Sequence, residues 1–317
     1  MIIVIVPKIM KLCSWVKTLL VGILPLMLVA CGGTTSTSPA VGTQRLTVVA
    51  TFVPMYEFTK AVAGDKAQVE ILIPPGSEVH DYQTKPEDLR KLAQAKLLIK
   101  NGLGLDDFVD GLISSSENKD LKVISSSQGV KTLGQVGERV PIAKREKEGP
   151  SNPHIWLDPI RVQQQVRNIR DALIAEDPRH SESYKSNAEA YIGKLQTLDQ
   201  EYKKTLALSS KKEFITFHDA FPYLADRYGL KQLAIIAIPE DELTPEDVQK
   251  TVQAAKKYKV KVLLSEPGVD NKLFTTLSKD LNISVKAIDS LENGTLDPDY
   301  YFKVMRANLE VLKEALA

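Results

Sequence analysis

Short apolar runs alternate with helical patterns along most of the chain. Apolar and β-branched runs at 46–53, 68–73 and 96–100 predict strands, because each run is short and is closed by polar, proline or glycine residues. Apolar residues spaced for a helix occupy 54–63 and 85–94, between those strands. Strands that alternate with helices indicate an α/β lobe with a mainly parallel sheet, flanked by helices.

The same alternation begins again in the last third of the chain. The predicted strands are 213–217, 233–238, 260–265 and 284–288, and the predicted helices are 220–228, 244–258, 271–281 and 299–317. This pattern predicts a second α/β lobe of the same kind.

One long amphipathic pattern separates the two predicted lobes. Apolar residues recur there at three- and four-residue spacing, namely Tyr184, Ala188, Tyr191, Leu195, Leu198 and Tyr202. A helix over 178–206 is about 44 Å long at 1.5 Å per residue, which is long enough to bridge two lobes. We therefore predict an N-terminal lobe at 45–177, a linking helix at 178–207 and a C-terminal lobe at 208–317. Residues 134–150, rich in glycine and charge, are predicted to form a surface loop.

The first thirty residues have the pattern of a secretory signal. Three lysines precede an apolar run that ends in Leu28-Val29-Ala30-Cys31, and this run is shorter than the roughly 20 residues that a membrane-spanning helix needs. Its end resembles a lipobox, the signal for cleavage and lipidation of bacterial lipoproteins. The resemblance implies a signal peptide at 1–30, lipid on Cys31 and a flexible tether at 31–44. The protein is then extracytoplasmic and bacterial, and either anchored to the membrane by its lipid or periplasmic.

Composition and charge narrow the possible partners. The chain is 43% hydrophobic and 26% charged with a formal net charge of +1, so nothing indicates a nucleic-acid-binding protein. It has two cysteines, Cys13 and Cys31. Because processing removes the first and lipidates the second, no thiol remains for a disulfide or for a metal ion.

Three of the four histidines follow strands or lie in turns. His80 comes after a Pro-Pro-Gly turn, His154 lies in an Asn-Pro-His turn before a helix, and His218 ends a predicted strand. Each alone could be a solvated or helix-terminal histidine. His180 lies among charged residues at a helix start and is predicted to be solvated. Together the other three indicate a metal site, because imidazole is the commonest metal-ligating side chain.

A carboxylate is the natural fourth ligand for such a site. Three imidazoles with one carboxylate or water form a four-coordinate site suited to Zn²⁺. Asp289 follows the strand predicted at 284–288 and is our predicted fourth ligand. The alternatives are a water molecule or the carboxylates of Glu240, Asp241, Glu242 and Glu266.

The surroundings of these four residues resemble a known family. The turn before His80, Asn-Pro-His154-Ile-Trp-Leu-Asp-Pro, Phe-His218-Asp-Ala-Phe and Ala-Ile-Asp289-Ser-Leu are similar to the ligand motifs of the metal-binding lipoproteins of zinc and manganese ABC transporters, the cluster A-I solute-binding proteins. The likeness extends over 46–317. It implies two lobes joined by a long rigid helix, one divalent metal ion between them, and delivery of that ion to a transporter permease.

The third histidine decides between the two metals of that family. Manganese-type members usually offer two histidines and two carboxylates and zinc-type members three histidines, so His218 favours zinc with manganese as the alternative. Many zinc members carry a histidine-rich loop between the first two ligands, whereas 134–150 contains no histidine. The resemblance implies high-affinity extracytoplasmic zinc binding by a protein that is not an enzyme.

Two other functions compete with a metal carrier. A zinc hydrolase needs an open fourth position and a separate general base, and the chain has no HExxH pattern. A surface lipoprotein with a structural metal and an adhesive role needs the metal for folding, whereas each predicted lobe has enough apolar strands to fold without it.

Overall fold

The computed structural model describes residues 45–133, 151–236, 244–267 and 272–317. The predicted signal peptide, the predicted tether with Cys31 and the loop predicted at 134–150 lie outside the described residues. The same holds for three of the competing oxygen ligands, which are Glu240, Asp241 and Glu242.

The first lobe is built on a four-stranded parallel sheet with strand order β2-β1-β3-β4. Its strands are β1 (Leu46–Ala50), β2 (Ala67–Ile71), β3 (Leu97–Lys100) and β4 (Lys122–Ser125), and its helices are α1 (Val53–Ala63), α2 (Pro86–Gln94), α3 (Val109–Ser115) and α4 (Pro159–Glu176). The sequence pattern did not predict α3 or β4. Since β4 is a short edge strand with partly exposed residues, it lacks the apolar run of a buried strand.

The second lobe repeats this plan in the order β6-β5-β7-β8, again all parallel. Its strands are β5 (Glu213–His218), β6 (Lys231–Ile236), β7 (Val262–Ser265) and β8 (Ser284–Ala287), and its helices are α6 (Pro222–Arg227), α7 (Pro245–Lys257), α8 (Lys272–Leu281) and α9 (Tyr300–Ala315). The predicted α/β class with two parallel sheets is confirmed.

The long helix between the sheets is α5, Ser181–Leu206. It is about 39 Å long at 1.5 Å per residue, somewhat shorter than predicted, because Pro178–His180 form a turn of 3-10 helix instead of its first turn. The predicted apolar face is buried as expected. Among the described residues, no helix is both long enough and apolar enough to span a bilayer.

The largest hydrophobic cluster is shared by both lobes, and each lobe has a smaller cluster of its own. Gln44–Ala317 form one compact unit, and its largest apolar cluster draws on α1, α4, α5 and α9. Phe58 of α1 packs edge-on against Tyr301 of α9, with ring centroids 5.2 Å apart. Tyr191 of α5 contacts Phe302 of α9 at 5.0 Å. Because this core is tightly packed, it holds the loops at the carboxyl ends of both sheets in fixed positions relative to one another.

Candidate metal centre

Four side chains from separate loops and strand ends converge on one point. They are His80, His154, His218 and Glu292, and one ligand atom from each lies within 4.8 Å of the others. His80 follows β2, and His154 precedes α4, so both belong to the first lobe. His218 ends β5 and Glu292 lies between β8 and α9, in the second lobe. Ligands of parallel sheets collect at the carboxyl ends of strands, and three of these residues come after strands.

The distances between the ligand atoms suit a small tetrahedral ion. Oε1 of Glu292 lies 2.8 Å from Nε2 of His154, 3.2 Å from Nε2 of His80 and 3.9 Å from Nε2 of His218. The Nε2 atoms of His154 and His218 are 3.2 Å apart. Bonds of about 2.0–2.1 Å in a tetrahedral zinc site place neighbouring ligand atoms about 3.3 Å apart. Only small shifts therefore separate this arrangement from a coordinated one.

Asp289, our predicted fourth ligand, is not part of this group. Its Oδ1 accepts a hydrogen bond from the backbone N–H of Leu291 at 2.8 Å, and its Oδ2 accepts one from Tyr300 at 3.1 Å. Its own backbone N–H and carbonyl are both bound by the side chain of Asn308. Asp289 therefore shapes the loop, and the carboxylate that faces the histidines belongs to Glu292.

The backbone of this loop explains why Glu292 was missed. Leu291 has φ of +65°, a left-handed conformation that is uncommon for a branched residue, and it turns the chain just before Glu292. The signal for Glu292 in the sequence was that it is a second acidic residue in the loop after β8, which also contains Asp289. Sequence alone does not show which of the two acids such a turn directs inward.

Glu266, one of the competing oxygen ligands, lies behind His218. Its Oε1 forms a short hydrogen bond with Nδ1 of His218. That contact occupies the ring nitrogen that faces away from the other ligands. A carboxylate in this position fixes the orientation of a metal-binding imidazole and increases its basicity.

Asn152 has the corresponding role for His154. Its Oδ1 accepts hydrogen bonds from the backbone N–H of His154 at 2.9 Å and from Nδ1 of the same residue at 2.8 Å. The proton of the neutral imidazole is thus on Nδ1, and the lone pair of Nε2 points to the place where the four ligand atoms converge. A few residues further on, Asp158 caps α4 by accepting a hydrogen bond from the backbone N–H of Ile160.

Burial and the two carboxylates set the protonation of the cluster. Burial lowers the pKa of His154 to about 3, against the opposing pull of Glu292, so this ring is neutral at pH 7. Burial acts in the same direction on His218, but the adjacent Glu266 outweighs it and raises the pKa of His218 to about 10. In Glu292 burial favours the neutral acid, yet the histidines outweigh it and hold the pKa well below its usual range.

The centre is closed to solvent. The side chains of His154 and His218 are fully buried, that of Glu292 is 1% exposed and that of His80 is 6% exposed. A divalent ion bound by three neutral imidazoles and Glu292 keeps one positive charge, which Glu266 balances. A buried site of zero net charge avoids the desolvation cost of an unpaired charge.

His180 lies outside the group, in the turn before α5. Its Nδ1 is 2.5 Å from Oδ2 of Asp177, and its side chain is 37% exposed. The ring is therefore partly exposed, as the prediction of a solvated histidine requires, and it also contacts Asp177.

Sequence comparison identifies relatives over nearly the whole chain. The family model described as zinc-uptake complex component A, periplasmic (ZnuA), matches residues 48–315. The high-affinity zinc uptake system protein ZnuA of Bacillus subtilis (strain 168) is 33% identical over 92% of this chain and 94% of its own length. The zinc-binding lipoprotein AdcA of Streptococcus pneumoniae (strain R6) is 34% identical over 94% of this chain, which spans 60% of that longer protein.

Structural comparison agrees. This chain resembles the crystal structure of the Zn(II)-bound ZnuA-like domain of Streptococcus pneumoniae AdcA, with a TM-score of 0.72 and 35% identity. The match covers 86% of this chain and 99% of the chain in that structure. These relatives are named as a zinc uptake system protein and as a zinc-binding lipoprotein, not as enzymes, which confirms the prediction of a non-enzymatic protein. The resemblance found in the ligand motifs is confirmed as well, and the chain belongs to the ZnuA family of periplasmic zinc-uptake components.

Proposed function

We propose that this chain binds a single Zn²⁺ ion with high affinity outside the cytoplasm and delivers it to the permease of an ABC transporter. The observation that carries the proposal is the closed set of three Nε2 atoms and one carboxylate oxygen, which are His80, His154, His218 and Glu292. The relatives named as zinc-uptake and zinc-binding proteins support the same ion.

Zinc suits this centre better than manganese. Imidazole-rich, four-coordinate sites favour Zn²⁺, whereas Mn²⁺ favours carboxylate, carbonyl and water oxygens in a larger coordination sphere. Here three of four donors are nitrogen, and the second nearby carboxylate, Glu266, is engaged by Nδ1 of His218. A manganese site needs that oxygen at the metal.

The same geometry disfavours the hydrolase. A catalytic zinc keeps a coordination position open for water and a carboxylate ready as a general base. Glu292 fills the fourth position, and the centre has almost no exposed surface. A binding site that closes around its ion fits a carrier.

The proposed carrier must be located at the membrane in order to meet its permease. We propose that residues 1–30 are a signal peptide and that Cys31 carries a lipid. Residues 31–44 then form a flexible tether between this lipid and the folded part of the protein. The folded part consists of a lobe at 45–177, a linking helix at 178–207 and a second lobe at 208–317. The family description as periplasmic and the lipoprotein relative support an extracytoplasmic location.

Zinc is expected to raise the melting temperature of the metal-free protein more than manganese does. A ligand that binds only the folded state stabilises it by about 2.7 kcal/mol at a hundredfold excess over Kd. The measurement is thermal unfolding of chelator-treated protein with each metal. His218→Ala is expected to reduce the zinc shift strongly.

His180→Ala is the matched control, because it removes an imidazole outside the centre and should leave the zinc shift unchanged. A larger shift with manganese than with zinc contradicts the proposed ion. No shift with either metal contradicts the proposed carrier.

A further inference from the structure

Two side chains on either side of His154 reach across to the second lobe. Nδ2 of Asn152 donates a hydrogen bond to the backbone carbonyl of Asp219 at 2.7 Å. Nε1 of Trp156 donates one to the backbone carbonyl of Ser290 at 2.8 Å. Both donor side chains are buried. Asp219 directly follows one ligand of the second lobe, and Ser290 lies two residues before the other.

Each ligand of the second lobe is therefore tied to the loop that carries His154. We propose that Asn152 and Trp156 are positioning residues that set the spacing between the metal ligands of the two lobes. The inference rests on the proposed zinc-binding function and assigns part of its affinity to two residues that do not touch the ion.

The loop at 152–156 is itself held firmly enough to act as a template. The hydroxyl of Tyr223 donates to the carbonyl of Asn152 at 2.7 Å, and that of Tyr301 donates to the carbonyl of Trp156 at 2.9 Å. Nδ2 of Asn101 in the first lobe donates to the carbonyl of Pro153 at 3.0 Å. With its backbone held from both lobes, the loop places its two donors rigidly.

The loops whose carbonyls accept these two hydrogen bonds depend on contacts with the rest of the protein to keep their shape. Glu292 follows Leu291, whose left-handed backbone is held by contacts rather than by intrinsic preference. Without the donor of Trp156, the buried carbonyl of Ser290 loses this hydrogen bond, and the loop can compensate by shifting. Without the donor of Asn152, the loop after His218 loses its tie to the first lobe. Because the ligand atoms already lie at separations close to those of a tetrahedral site, such a shift moves Glu292 or His218 away from the favourable geometry.

Trp156→Phe and Asn152→Ala test this assignment in the full chain. Trp156→Phe removes the N–H donor and keeps an aromatic ring beside His154. We expect it to weaken zinc binding about tenfold, in the range that metal sites show when residues supporting a ligand are replaced. Asn152→Ala removes both the tie to Asp219 and the contact with Nδ1 of His154, so we expect a larger loss. Zinc affinity is measured by competition with a chromophoric chelator.

Tyr202→Phe is the matched control. Its hydroxyl donates a buried hydrogen bond of 2.5 Å to the carbonyl of Met305, between α5 and α9 and away from the metal centre. The control should lower the stability of the metal-free protein by the loss of one buried hydrogen bond, without changing zinc affinity. The visible absorption spectrum of bound Co²⁺ reports ligand geometry, and it should change in Trp156→Phe and Asn152→Ala but not in Tyr202→Phe.

The outcomes separate this inference from the function on which it rests. If the wild-type chain binds zinc and Trp156→Phe matches Tyr202→Phe in affinity and Co²⁺ spectrum, the positioning role is refuted. If the wild type does not bind zinc, the proposed function fails first. Should Asn152→Ala not fold, Trp156→Phe alone decides, because it keeps the hydrogen bonds of Asn152.

Discussion

Replacing Glu292 with glutamine is expected to weaken zinc binding by roughly 10²- to 10⁴-fold. Glutamine keeps the size and one oxygen of the side chain but removes the negative charge that faces the ion. The site is buried, and leaving a buried charge without its partner costs about 3–5 kcal/mol, where each 1.4 kcal/mol is a factor of ten in Kd. The three histidines remain, so weak binding should persist.

Asp289→Asn is the informative comparison for that variant. Asparagine can still accept the hydrogen bond from the N–H of Leu291, so the loop should keep its shape and zinc affinity should stay within about tenfold of the wild type. Affinity for both variants is measured by chelator competition. If Asp289→Asn loses more affinity than Glu292→Gln, the fourth ligand is Asp289, as the sequence predicted, and the placement of Glu292 is refuted.

Replacing Glu57 with glutamine is expected to stabilise the metal-free protein at alkaline pH. Glu57 is 5% exposed on α1, and the backbone N–H of Tyr301 at the start of α9 donates to it. Burial, together with the charges of Asp297 and Asp299, raises the pKa of Glu57 from 4.5 to about 8. The carboxyl group is therefore mostly protonated at pH 7 in the folded protein and ionised in the unfolded chain.

The sign of the pH dependence follows from that difference. Below pH 4.5 both states hold the proton, so Glu57 contributes no pH dependence there. Between pH 4.5 and about 8 only the folded state holds the proton, and stability falls as pH rises, by about 2–4 kcal/mol in all. Glu57→Gln removes this loss, so its advantage over the wild type should be small at pH 5 and largest near pH 9.

Denaturant unfolding of the wild type and Glu57→Gln at pH 5, 7 and 9 measures the effect. Glu189→Gln, on the exposed face of α5, is a control for the removal of one carboxylate charge and should show little pH-dependent difference. An advantage of Glu57→Gln that does not grow with pH would show that Glu57 is ionised in the folded protein.

The ties between the lobes bear on how the ion is held and released. The core shared by α1, α5 and α9 joins the lobes through packed aromatic rings, while Asn152 and Trp156 join the loops at the site. The packed core resists deformation, whereas the loops are held by a few hydrogen bonds. The loops that carry His218 and Glu292 therefore cost less to move than the packed core or the firmly held loop at 152–156.

The sequence by itself determined the fold class and singled out the three histidines that the structure brings together. Apolar periodicity is a local signal, so it predicted most strands and helices, including the buried face of α5. Histidines are few, and three of them followed strands or turns, so their residue type and position sufficed to single them out.

Only the tertiary structure decided which carboxylates lie near these histidines and which ring nitrogens they contact. Whether Asp289 or Glu292 faces the centre depends on a left-handed turn at Leu291 and on the contacts of Asn308 and Tyr300, which come from other parts of the chain. Glu266 was foreseen as an oxygen donor, but it supports His218 from behind. Such roles depend on the direction of a side chain in a loop held by long-range contacts, and local sequence patterns do not encode that direction.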